Sequence, residues 1–77
     1  MTDDDIKAAL LELALQRGPA KSFCPSEAAR SLATDWRPLM DDIRRVAAAM
    51  PEIMATQKGN PVDPNTAKGP IRLHLPK

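Results

Sequence analysis

The hydrophobic pattern changes period once along this chain, and that change limits the folds open to it. Up to Met50 the apolar residues recur at helical spacing. Beyond Pro51 they do not. Ile71, Leu73 and Leu75 alternate with Arg72 and His74, which is the period of a half-buried strand. Helices come first, and paired strands follow. With 77 residues there is material for one core, so residues 1–77 read as a single domain. A domain of this size buries roughly 60% of the surface its unfolded chain exposes.

Proline and glycine divide the helical part. Thr2 is placed to cap a first helix, 3–17, whose first turn holds Asp3, Asp4 and Asp5, where the helix dipole favours anions. Ile6, Ala9, Leu10, Leu13 and Ala14 form its stripe, widened by Leu11 and Leu15, and Gly18-Pro19 ends it. Ser22-Phe23 reads as extended and able to add a very short strand. Pro25 suits the first position of a second helix, 25–32, and Glu27 is spaced to fold back on residue 24. A third helix is expected over 36–50, capped by Thr34 or Asp35, with Pro38 tolerated in its first turn. Trp36, Leu39, Met40, Ile43, Val46, Ala47 and Met50 share one face of it, so Trp36 reads as core packing.

Strands are expected near 53–57 and 71–75. The segment from Lys58 to Pro70 reads as one long polar loop, too long for a two-residue hairpin turn. Three helices followed by a hairpin with a long loop make an α+β chain, mostly α. This is the order of a winged helix-turn-helix, with the hairpin as the wing. The rival, three helices with an irregular tail, does not explain the alternation at 71–75.

Several functional classes lose their support. Cys24 is the single cysteine, so an internal disulfide and a cysteine zinc site are excluded, and a lone His74 offers no metal set. There is no glycine-rich phosphate motif, and a serine or cysteine nucleophile would depend on His74 with nothing to bring them together. No enzyme activity and no cofactor are expected. No apolar run approaches the ~18 residues that span a bilayer, and the start, Met1-Thr2-Asp3-Asp4-Asp5, lacks the build of a signal peptide. No membrane partner is expected, and the cytoplasm is the expected location.

The net charge of +1 is split, with −3 over residues 1–16 and +4 over residues 17–77. Such a split fits a basic surface for a polyanion, and it equally fits an ordinary solvated surface. Opposite the apolar face of the third helix lie Asp41, Arg45 and Ala48, flanked by Arg37 and Arg44. Arginine forks suit phosphates and guanine edges. Asp41 and Arg45 are also spaced to pair with each other. Lys58 and Lys68 bracket the loop and Arg72 follows on the strand, a set suited to backbone contacts. Lys21 and Ser26 flank the start of the second helix, where free N–H groups can hold a phosphate or simply be capped. Double-stranded DNA is the expected partner through these eight residues. The alternative is a protein partner on the same fold, through Met40, Met50 and Met54 where any of them is exposed.

Four segments carry a resemblance: Lys21-Ser22-Phe23-Cys24-Pro25-Ser26-Glu27-Ala28-Ala29-Arg30, Asp35-Trp36-Arg37-Pro38-Leu39-Met40, Thr56-Gln57-Lys58-Gly59-Asn60-Pro61-Val62-Asp63-Pro64, and Lys68-Gly69-Pro70-Ile71-Arg72-Leu73. Together they resemble the bacterial family catalogued as domain of unknown function 3253. The resemblance implies a winged-helix fold and no established activity. One departure is Met50-Pro51-Glu52-Ile53, where the resemblance leads one to expect a glycine-containing turn.

Overall fold

The computed structural model describes residues 2–76. Helix α1 spans Asp3–Arg17. Thr2 caps it reciprocally: its hydroxyl accepts from the Asp5 N–H at 3.2 Å, and its own N–H donates to the Asp5 carboxylate at 3.2 Å. The helix stops where Gly18 takes a positive φ of 76° and donates to the Ala14 carbonyl. Helix α2 spans Pro25–Leu32. Its proline lacks only an N–H that a helix start leaves unpaired, and the Glu27 carboxylate accepts the Cys24 N–H at 2.8 Å.

The expected third helix is divided and shorter. A 3-10 turn, Arg37–Leu39, leads into α3, Met40–Ala48. Pro38 explains the division. It has no N–H to donate, and the turn that holds it is closed by three-residue bonds, Leu39 back to Trp36 at 3.0 Å and Met40 back to Arg37. The expected cap by Thr34 or Asp35 does not form; Trp36 holds that place without a side-chain bond. At the other end Pro51 disfavours α geometry at Met50, so the last carbonyls close with three-residue turns, Ala49 to Val46 and Met50 to Ala47. Residues 50–53 then form a turn in which Ile53 donates to Met50, with no positive φ. A glycine is therefore not required there.

Strands β1 (Met54–Gln57), β2 (Asn60–Pro61) and β3 (Arg72–His74) form an antiparallel sheet in the order β2-β1-β3. This corrects the reading of 58–70 as a single loop. Lys58-Gly59 is a two-residue hairpin turn with φ of 52° and 83°, which pairs Gln57 with Asn60 and Thr56 with Pro61. Lys-Gly is a weaker turn signal than Asn-Gly. Pro61 also hides the strand, although proline is tolerated on an edge strand. On the other side β1 pairs with β3, Met54 with His74, Ala55 with Leu73 and Thr56 with Arg72.

The expected contribution of Ser22-Phe23 is a single bridge. Phe23 donates to Leu73 at 2.9 Å and accepts from it at 2.8 Å. Both side chains are fully enclosed, within a core of Ile6, Leu10 and Ala14 from α1, Ala28 and Ala29 from α2, Ile43, Val46 and Ala47 from α3, and Ile53, Ala55 and Ile71 around the sheet. The fold is therefore α+β and mostly helical, with α1 packed on α2 and α3, and the sheet closing one side. Leu15, counted in the stripe of α1, faces solvent at 68% exposure.

Phe23 is the largest side chain that is fully buried. Phe23→Ala is expected to destabilise the domain by about 3–5 kcal/mol, read from the urea midpoint. Leu15→Ala should change it by less than about 0.5 kcal/mol. Similar effects for the two would contradict this core.

Candidate nucleic-acid interface

The basic residues singled out from the sequence fall into two groups once their hydrogen bonds are traced. Arg44, Arg45 and Arg72 are engaged within the protein. Arg37, Lys58, Lys68 and Lys21 project to the surface.

Arg44 leaves α3 half-buried and reaches the segment that precedes β3. Its two terminal nitrogens donate to the Ala67 carbonyl at 2.8 Å and the Gly69 carbonyl at 2.7 Å. From the sheet side, Gln57 donates through Nε2 to the Lys68 carbonyl and to the Pro70 carbonyl at 3.2 Å. Four consecutive carbonyls are thus satisfied alternately by two side chains. Residues 67–70 have no strand partner, so these bonds replace a backbone ladder. Upstream, Asp63 closes a local turn, its carboxylate accepting from the Asn65 N–H and its carbonyl from Thr66 and Ala67.

Arg45 extends from α3 to the start of α1. It grips Asp3 with both terminal nitrogens, at 3.0 and 2.9 Å, and also meets Asp42 at 3.3 Å. The expected Asp41 pair does not form; the partners are one turn away at Asp42 and across the fold at Asp3. The bond from Arg45 holds the Asp3 carboxyl below its ordinary range, and the two carboxylates push Arg45 up in turn. A fork closed on a carboxylate has fewer donors to offer a phosphate.

Arg72 lies across the 22–24 segment. Its Nε donates to Ser22 Oγ at 2.9 Å, and its terminal nitrogens reach the Ser22 carbonyl at 3.0 Å and Cys24 Sγ at 2.8 Å. The same region includes the start of α2, where Lys21 and Ser26 are expected to flank a phosphate. The α2 start already holds a carboxylate, since Glu27 accepts the Cys24 N–H and pairs with Arg17 at 2.6 Å. Those two contacts, the backbone one first, depress the Glu27 pKa. Its charge opposes a second anion there. Lys21 instead borders an open concavity of about 510 Å³ against the outer sheet face, beside Met54, Thr56 and His74.

What remains is at the surface. Lys58 stands at the exposed tip of the β1–β2 hairpin, and Lys68 is exposed on the held segment. Arg37 lies over the Trp36 ring at 4.7 Å, and so does Arg30, which the sequence reading passed over. That pairing depends on the path of residues 33–35, and no short-range pattern announces it. The Gln57 contacts likewise arise only from tertiary placement. His74 is half-buried, with Nδ1 2.7 Å from the Leu75 carbonyl. Among the described residues no three His, Cys, Asp or Glu side chains gather to hold a metal, and no helix is long and apolar enough to cross a membrane.

Fold and surface together define a small α+β domain whose arginines serve largely as internal ties. The sequence pattern of the family described as "Protein of unknown function (DUF3253)" matches residues 3–76, and the chain belongs to that family. No curated protein matches it.

Asp3 and Glu27 have folded pKa values below their ordinary ones. Their contribution to stability is therefore present above the unfolded-state pKa, near pH 4, and is lost as the pH falls through the lower folded value. Urea midpoints are expected to fall progressively as the pH drops below about 4. In Glu27→Gln the midpoint at pH 7 should be lower and the acid-side decline shallower. An unchanged acid limb in that variant would remove Glu27 from the account.

Proposed function

We propose that this chain is a winged helix-turn-helix module that binds double-stranded DNA through the phosphate backbone, without reading base edges from α3. The element order supports the fold reading: α1, the extended 22–24 segment, α2, α3, then β1 and β3, with Phe23 bridged to β3. The observation that carries the functional reading is the hairpin. Its two-residue turn sets Lys58 at an exposed tip, with Lys68 on the adjoining segment, in the manner of a wing laid along a duplex. Arg30 and Arg37 supply positive charge at the connection between α2 and α3. Phosphate contacts of this kind position a protein but carry no sequence information.

The surface of α3 argues against base readout. Arg44 is held by carbonyls and Arg45 by carboxylates, while Asp41 and Asp42 stand exposed and would repel phosphates. The same neutrality favours a second reading, a protein-interaction module on this fold with no nucleic-acid binding. Exposed Leu15 and Met54 would then supply apolar contact. Neither reading assigns the chain a catalytic role.

Fluorescence anisotropy of labelled mixed-sequence duplexes separates the two. With about four phosphates neutralised, affinity is expected to fall on the order of 100-fold between 50 and 200 mM salt. Two unrelated duplexes should bind within a few-fold of each other. Absence of binding at low salt, or an affinity indifferent to salt, would overturn the DNA reading in favour of the protein-interaction one.

A further inference from the structure

Six arginines have described surroundings, and four of them direct their N–H groups at named acceptors. Arg17 meets Glu27, Arg44 two carbonyls, Arg45 two carboxylates, and Arg72 the 22–24 segment. Arg30 and Arg37 differ. Each places its guanidinium carbon 4.7 Å from the centroid of the same indole, Trp36, so the two charges are held within twice that distance of one another. Among the described residues, neither has a carboxylate at ion-pair distance.

Stacking uses the face of a guanidinium and leaves its in-plane donors available. Trp36 is itself half-buried against the core, which fixes the platform. Two like charges held over one ring, neither paired with a carboxylate among the described residues, match a ligand that carries several anionic oxygens. A ring already covered by guanidinium is poorly suited to stacking a base.

We propose that Arg30 and Arg37, aligned on Trp36, form a clamp for a polyphosphate ligand, here adjacent phosphates of a duplex backbone. This rests on the DNA reading above and names its principal contact. The exposed carboxylates of Asp35, between the pair in sequence, and Asp41, beyond it, oppose any anion, so the clamp favours a ligand of several negative charges at low salt over a singly charged ion.

Trp36 is the single tryptophan of the chain, so its emission reports on this site. The test titrates the full chain, at low salt, with inorganic tripolyphosphate and separately with a mixed-sequence duplex. Trp36 emission and duplex anisotropy are read together. The parent should show a saturable emission change with both ligands. Arg30→Gln/Arg37→Gln should weaken both at least tenfold, with its fold checked by circular dichroism. Arg45→Gln should bind as the parent does, and Asp41→Asn should bind more tightly.

A tripolyphosphate response without duplex binding would uphold the clamp as an anion site and remove the DNA reading. Duplex binding with unchanged emission, and undiminished in the double variant, would overturn the clamp and leave the DNA reading standing. No response to either ligand would overturn both.

Discussion

Phe23 and Leu73 exchange two backbone hydrogen bonds and bury both their side chains, and the fold depends on that bridge. A chain of this length has little apolar surface to spare, and its one phenylalanine is spent where helices and sheet meet. The bridge fixes the segment between α1 and α2 against β3. It therefore sets both the direction in which α2 starts and the plane of the sheet. β1 follows from β3 by pairing, and the hairpin tip follows from β1.

Around this joint the arginines act as cross-links. Arg17 joins the end of α1 to the start of α2, Arg45 joins α3 to the start of α1, Arg44 joins α3 to the segment before β3, and Arg72 joins β3 to residues 22–24. Exposed ion pairs are individually weak. The carbonyl ties of Arg44 differ in kind, because they satisfy backbone groups of a segment without a strand partner. The arrangement leaves α3 electrically balanced. Positive charge stands at its two sides instead, on the Trp36 stack and on the hairpin.

The elements that were legible in the sequence are those governed by local rules. The cap at Thr2, the stop at Gly18, and Pro25 followed by Glu27 are all decided within four residues, and each is found where its spacing places it; that Asp5 returns the cap to Thr2 is added by the structure. The period of two at 71–75 likewise marked β3. The Lys58-Gly59 turn was hidden because lysine with a positive φ is uncommon and proline follows in the strand. The division of the third helix turned on Pro38, whose effect reached further than its place in the first turn suggested. The fates of the arginines were beyond reach. Asp3 and Arg45 are 42 residues apart, Ser22 and Arg72 are 50, and nothing in either neighbourhood marks the other. Helical spacing placed Arg44 and Arg45 correctly on α3, but position on a helix does not reveal what a long side chain reaches.

The central claim is that polyanion binding takes place beside α3, at the Trp36 stack and the hairpin, and not along α3 itself. Amide chemical-shift mapping of the labelled chain with a mixed-sequence duplex at low salt tests this most directly. The account predicts shifts at residues 30 and 35–38, at 57–60 and at 66–69, fading as salt is raised, with 41–48 unmoved. Shifts that run along 41, 45 and 48 would contradict it, since they would require Arg45 to leave Asp3 and α3 to face the duplex.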